Sequence, residues 1–322
     1  MKCISWIGAA VLAAALSGGA FAQSEVRPMP NTIRMGTATP GGGFPLYGDG
    51  FAAVLNAADP ALAIATQNTR GSTENIPLLE QGALDLALVA GEPAYEAFAG
   101  IGRAPTRLKI LTAIYSNPGL FVVRADSPYQ NLRDLVGQKV AFGAKGSGLV
   151  ILSRYVLDGL GLQQDVDFQP VYLDRAGDGP LMVQDGRVAA LWGAGSGWPG
   201  FRAMAESPSG ARFIAPSEKE IAQILAKHNF LKAMTVPAGS YPGQHRPIAS
   251  LGSWSYVLTR EDLPEDIAYR LARTLHGAEA ALTARLPQAR ETTAANTLAA
   301  APREALIHPG VLRYYREIGL VK

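Results

Sequence analysis

Three short stretches of this chain combine glycine with residues that hydrogen-bond or carry charge: Pro40-Gly41-Gly42-Gly43-Phe44, Thr69-Arg70-Gly71-Ser72 and Gly143-Ala144-Lys145-Gly146-Ser147-Gly148. Each stands where a strand-like run gives way to a helix-like one. A glycine-rich turn in that position presents backbone N–H groups beside the positive end of a helix dipole, which favours an anionic group such as a carboxylate. Thr37, Thr39, Thr69, Ser72, Asn75, Ser147 and Ser196 lie in or near these turns and can supply directed hydrogen bonds. Ser72 also has a plainer role available, as a helix N-cap. Lys145 and Arg70 are the cations within the turns. Phe44, Tyr47, Tyr95, Tyr115, Trp192 and Trp198 are near enough to wall a cleft, or to fill the core beside it. This chemistry grips a small polar molecule and breaks no bond.

The spacings that would announce catalysis are absent. Gly146-Ser147-Gly148 is not a nucleophile elbow, because position 145 is lysine where that motif needs glycine. Lys145 precedes Gly146, the reverse of the phosphate-binding order, and Gly193-Ala194-Gly195 is followed by Trp198 where a dinucleotide fingerprint needs glycine. His228, His245, His276 and His308 are scattered without metal-ligand spacing. The expectation is therefore a binding protein with no catalytic residue, no metal and no cofactor.

Composition points to an exported chain. Lys2, the apolar run Ile4 to Leu16 and Ala20-Phe21-Ala22 form a secretory signal pattern, with cleavage expected after Ala22, and the apolar run is too short to span a bilayer comfortably. The single cysteine, Cys3, would leave with residues 1–22, so disulfides and thiolate-bound metals are not expected. Of the 322 residues, about 300 would remain, enough for one large domain or two lobes of ordinary size. A net charge of +2 without a basic tract gives no reason to expect nucleic acid or a membrane surface as partner. The expected location is the periplasm.

The elements that must hold the turns alternate between strand and helix. Ile33 to Thr37 reads as a strand, Pro45 to Ala57 as a helix, Leu62 to Asn68 as extended, and Ser72 to Gln81 as a helix. Strands follow at Leu84 to Val89, Leu108 to Tyr115, Leu120 to Val123 and Lys139 to Phe142, then a helix from Leu149 to Leu160. Further strands are expected at Phe168 to Leu173, Val188 to Trp192 and Ile248 to Leu258, with a helix around Leu181 to Gln184. Pro264 to Lys322 reads as helical, with Pro287 and Pro309 as breaks. This order predicts an α/β fold with mainly parallel sheets, in which ligands bind beyond the carboxyl ends of strands.

These motifs, taken in order, resemble the substrate-binding proteins of tripartite ATP-independent periplasmic (TRAP) transporters, of the TAXI type. The resemblance runs through Met35-Gly36-Thr37, Thr69 to Asn75, Gln81 to Val89, Leu135 to Val140 and Gly146-Ser147-Gly148. Val236 to Gln244 and His308 to Glu317 extend it over nearly all of the mature chain. It implies a type II periplasmic-binding-protein fold, two α/β lobes with a ligand cleft between them, and delivery of a captured solute to an integral-membrane permease driven by an ion gradient. Relatives of this kind bind glutamate, glutamine or related organic acids.

The chain departs from that pattern at the cleft. Gly42-Gly43-Phe44-Pro45 lacks the hydroxyl pair usual in the first turn, and Ala90-Gly91-Glu92 replaces Gln-Ser-Asp. Leu149 stands where threonine is usual, and Trp198 where smaller residues are. A ligand other than glutamate is implied, either a small organic acid or an amino-acid-like molecule. The expected division is residues 31–123 with 250–322 as one lobe and 124–249 as the other, hinged at about residues 123–126 and 246–250. The ligand's carboxylate is expected on Gly146, Ser147 and Gly148, with Lys145 adding charge. Gly42, Gly43, Thr69, Ser72 and Asn75 would hold the other end, and Phe44, Tyr47, Glu92, Tyr115, Trp192 and Trp198 would complete the site. The mature protein is expected to be a soluble monomer that docks transiently on its permease. The alternatives are a receptor for an ATP-driven importer of a sulfonate or thiamine precursor, or an exported sensory module or enzyme.

Overall fold

The structure, a computed structural model, describes residues 32–322, so the expected signal peptide and Cys3 lie outside the described residues. Among these residues no helix is long and apolar enough to cross a membrane. Ten strands join into one hydrogen-bonded sheet system. β1 (Ile33–Gly36) pairs in parallel with β2 (Ile64–Gln67) and β3 (Leu86–Val89). β4 (Lys109–Arg124) follows, and then β5 (Lys139–Ala144), β6 (Gln169–Leu173) and β7 (Ala190–Ala194), with β5 parallel to both β6 and β7. β8 (Ala211–Ile214) pairs with β4, and β9 (Lys232–Val236) with β10 (Ile248–Thr259).

β4 and β10 run through both halves of this system. β4 lies antiparallel to β10 from Lys109 to Pro118, then exchanges that partner for β7 from Gly119 to Val122 and for β8 from Phe121 to Arg124. β10 pairs with β9 up to Gly252 and with β3 beyond it. The core divides at the same point. One apolar cluster draws on residues from Ile33 to Tyr115 and from Tyr256 to Tyr315. Two others, on the faces of the second half, draw on residues between Leu120 and Leu251.

Most elements follow from local pattern. β3 is Leu-Ala-Leu-Val, buried at every position, as a central parallel strand requires. In α1 (Gly43–Ala58), Tyr47, Phe51 and Leu55 are buried at four-residue spacing. α2 (Ser72–Glu80), α3 (Gly91–Ala99) and α4 (Gly148–Gly159) complete the helices that lead away from the cleft.

The differences from expectation have physical reasons. The two strands expected at 108–115 and 120–123 are one, because Ser116-Asn117-Pro118-Gly119 is not a reversal but the segment that carries the chain from one half to the other. Pro118, which cannot donate, sits at the change of partner. α3 was not anticipated; Pro93 lies in its first turn, where a missing N–H costs nothing. Pro309 opens the helix Pro309–Glu317 rather than breaking one, and Pro287 likewise opens a short 3-10 turn. Ser72 is the first residue of α2, not its cap; its hydroxyl accepts from Ala90 N at 3.0 Å.

Asn75 is the polar tie of the first half. It is fully buried, and its Nδ2 donates to Thr37 O and Leu88 O, both at 2.8 Å, which fixes α2 to β1 and β3. Replacing it with alanine removes both bonds to these buried carbonyls. The Asn75→Ala variant is expected to lose about 2–3 kcal/mol of stability in urea unfolding; a loss under about 0.5 kcal/mol would show that the tie is not structural.

Candidate ligand-binding cleft

In parallel sheets the carboxyl ends of strands share an edge, so helices that follow them begin at a common place. β1 leads to α1, β3 to α3 and β5 to α4, and the first turns of these three helices meet at one cavity between the two halves. Its walls include Gly42, Gly43 and Phe44 from the start of α1, Ala90 and Glu92 from α3, and Ser147, Gly148 and Leu149 from α4. Trp198, beyond β7, closes one side, and Tyr115, Asn117 and Ser255 reach it from the crossing strands. The space between the walls, open mouth included, is about 580 Å³. That suits a small ligand.

Neither α1 nor α3 has a side-chain bond at its N-cap, Gly42 or Ala90, but in α3 the Glu92 N–H is engaged by that residue's own carboxyl and Pro93 has none to offer. α4 is capped by Ser147, whose hydroxyl accepts from Leu149 N at 3.2 Å. Gly148 lets the starts of α3 and α4 meet across the cleft: a Cβ there would stand 2.4 Å from the Cβ of Ala90. The mouth is closed mainly by main chain. Gly177 N donates to Pro40 O at 3.3 Å, Ala176 N to Thr39 Oγ1 at 3.1 Å, and Thr73 N to Gly146 O at 3.1 Å. Gly41, at φ 82°, would place a Cβ 2.5 Å from Gly177 Cα, so contact here requires glycine. Behind the cleft, Glu96 of α3 accepts from Arg154 and from Tyr155 Oη, the latter at 3.0 Å, and Tyr95 stacks on Phe230 with ring centroids 3.9 Å apart.

One carboxyl group is buried in the cavity wall. Glu92 is 1% exposed, and its Oε1 accepts from Ser253 Oγ at 2.6 Å. Burial pushes its carboxyl up to about 7; the Ser253 bond and its own backbone N–H pull the other way, and the charge of Glu96 adds to the rise. The Tyr115 phenol is also raised, by burial first and then by Tyr47 and Glu291. Asn117 Nδ2 donates to Ser255 Oγ at 2.6 Å.

Of the residues singled out from sequence, Thr39, Gly42, Gly43, Phe44, Glu92, Tyr115, Ser147, Gly148 and Trp198 line the cavity, and Arg70 reaches its rim. The others lie elsewhere. Tyr47 is fully buried in the first core, where its hydroxyl meets Thr292 Oγ1 at 2.8 Å. Trp192 is buried in the second, with Nε1 donating to Leu149 O at 2.9 Å. Thr69 Oγ1 donates to Thr37 O at 3.1 Å, and Ser72 and Asn75 are committed to the backbone bonds described above. Gly146 contributes its carbonyl to Thr73. Lys145 points to solvent, 68% exposed, with Nζ 3.6 Å from Asp174. Its alternation along the end of β5 turns it away from Ala144, which does line the cavity.

Asn117 and Ser255 were missed because they sit within stretches that read as turn and strand. Polar residues inside otherwise apolar, buried strands were the available signal. Arg70 reaches the rim, but its side chain is 75% exposed and paired with Glu74. Among the described residues no group of three or more His, Cys, Asp or Glu side chains is placed to hold a metal ion.

Residues 35–319 match the NMT1-like family. A protein from Bordetella bronchiseptica RB50 shares the fold with a TM-score of 0.56 at 13% identity, over 90% of this chain and 98% of that one. The substrate binding protein of an amino acid ABC transporter does so with a TM-score of 0.50 at 13% identity, over 80% of this chain and 98% of that one. The architecture is the periplasmic-binding-protein fold, two α/β lobes with a cleft between them.

Glu92 makes the cleft sensitive to pH. Its carboxyl is raised from 4.5 to about 7, so its favourable contribution is complete below the unfolded value and is lost as pH rises through the folded one. Between pH 4 and pH 8 the ligand-free protein should lose on the order of 3 kcal/mol at this site. The Glu92→Gln variant is expected to match the wild type in urea unfolding at pH 4 and to exceed it at pH 8. Equal stability at both values would mean that burial does not penalise this carboxylate.

Proposed function

The chain belongs to the NMT1-like family, and we propose that it is an exported receptor that captures a small carboxylate-bearing solute between its lobes and delivers it to an integral-membrane permease. The observation that carries this reading is the convergence of α1, α3 and α4 on one cavity walled from both lobes. The start of α1 carries no side-chain cap, and oriented N–H groups at helix starts are suited to a carboxylate. The hydrogen bonds that join the lobes across the mouth support a cycle of opening and closure. The hinge of this reading lies where β4 and β10 change partners, near Pro118–Gly119 and Gly252, a few residues from the expected 123–126 and 246–250. Closure would favour the liganded form because the solute contacts both lobes only there.

The partner in this proposal is an ion-gradient-driven TRAP permease, and the support for it is the sequence resemblance. A second reading keeps the cleft and changes the partner to an ATP-driven importer, supported by the fold shared with an amino acid ABC transporter's substrate binding protein. Solute uptake that collapses when an ionophore dissipates the ion gradient favours the first; uptake that survives it and requires ATP favours the second.

A thermal-shift screen of amino acids, keto acids, dicarboxylates, aromatic acids and sulfonates tests the receptor itself. A ligand at about 1,000 times its dissociation constant adds about 4 kcal/mol and raises the melting temperature by several degrees. The Ser147→Trp variant is expected to abolish that shift by filling the cavity at the start of α4, while losing only about 1 kcal/mol of stability with the cap. An unchanged shift in this variant would remove the α4 turn from the site.

A further inference from the structure

The three helix starts at the cleft are not equally free to bind. In α4, Leu149 N is taken by the Ser147 hydroxyl; in α3, the Glu92 N–H is engaged by its own carboxyl and Pro93 has none. In α1, the N–H groups of Gly43 and Phe44 have no acceptor among the described residues. One side-chain donor joins them. Tyr115 is 5% exposed and lines the cavity, and its hydroxyl makes no hydrogen bond among the described residues. That oxygen stands 3.2 Å from the position a Cβ on Gly43 would take. A buried phenol without a partner, beside two open N–H groups, makes a seat for one anionic group.

The rest of the wall is largely apolar or already bonded. Trp198 is 6% exposed; Gly193 and Gly200 leave room for its indole, which meets Phe201 edge-on with ring centroids 5.0 Å apart. Leu149, Leu152 and Phe44 continue that surface. Thr39 Oγ1 accepts from Ala176 N, and Asn117 donates to Ser255. The one cation among the lining residues, Arg70, has its side chain 75% exposed and paired with Glu74.

We propose that the solute is a monocarboxylate with an apolar body. Its carboxylate lies on the N–H groups of Gly43 and Phe44 and on the Tyr115 hydroxyl, and its aryl or branched alkyl body lies against Trp198, Leu149 and Leu152. This rests on the receptor reading above and narrows it. A second carboxylate would meet the Glu92 carboxyl and apolar side chains, with no inward-facing cation to offset its loss of water. An apolar body has no such cost, and its removal from water favours binding in proportion to its area. Trp198 sets the limit of that body. Its indole is packed on two glycines and a phenylalanine, so it forms a fixed wall rather than an adaptable one.

The test compares acids in pairs that keep the group at carbon 2 and exchange the apolar body for a second carboxylate. The pairs are 3-phenylpropanoate with succinate, 4-methyl-2-oxopentanoate with 2-oxoglutarate, and L-leucine with L-glutamate. Melting shifts identify binders, and titration calorimetry measures their affinity. In every pair that binds, the apolar member is expected to be about 100-fold tighter. The Tyr115→Phe variant keeps the ring and removes the hydroxyl; it is expected to bind the same acid about 10-fold more weakly. Its ligand-free melting temperature should match that of the wild type, because the lost hydroxyl held nothing in the fold, and this separates weaker binding from unfolding. Dicarboxylates that bind as tightly as their apolar partners, or a Tyr115→Phe variant of unchanged affinity, would overturn the inference and leave the receptor reading standing. If no member of the panel binds, both fall.

Discussion

The cleft depends on two strands that belong to both halves of the molecule. β4 and β10 form sheet on either side of the gap, so the lobes are joined by continuous, hydrogen-bonded backbone rather than by loose linkers. That constraint fixes which strand ends, and therefore which helix starts, can face one another. It also explains the polar residues on the crossing strands. Where a strand leaves one set of neighbours for another, the apolar layers on its faces are interrupted, and Asn117, Ser253 and Ser255 occupy that interruption. Their hydrogen bonds are made among themselves and to Glu92.

Electrostatically the site is built from partial charges on the main chain and one whole charge on a side chain. Helix starts from both lobes supply the positive side through the aligned dipoles of the main chain, whether the start is uncapped, as in α1, or capped, as in α4. The negative side is a single buried carboxyl whose desolvation opposes its ionisation. The aromatic and aliphatic wall between the two ends contributes area and shape rather than direction.

Much of this could be read in the sequence, for reasons that differ by residue. The turns at Gly42 and Ser147 were legible because a strand, a glycine and a helix succeed one another within a few residues, and both turns line the cavity. The turn at Thr69 has the same local grammar but serves structure: its hydroxyl and those of Ser72 and Thr73 bind backbone in adjoining segments. Only the third dimension separates these cases. Tyr47 and Trp192 illustrate the same limit, since an aromatic residue near a turn can face the core as readily as the cleft. Lys145 was misjudged through side-chain direction, which alternates along a strand and continues past its end. Asn117 and Ser255 come from strands remote in sequence, and nothing local connects them. The fold class was more legible than the site because hydrophobic period and turn chemistry are local, whereas the site is assembled by long-range contacts.

The distribution of small residues around the cavity has a historical consequence. Ala38, Ala90, Ala144, Ala176 and Ala194 all line it, while the bonds that draw the lobes together run largely through main-chain atoms of Pro40, Gly146, Ala176 and Gly177. Enlarging one alanine by a methyl group or two alters the space offered to the solute and leaves those main-chain bonds in place. On the proposed reading, selection for a new solute and selection for the outline of the joined lobes would act on separate sets of atoms, so the contents of the cleft could change in single-residue steps while that outline stayed as it is.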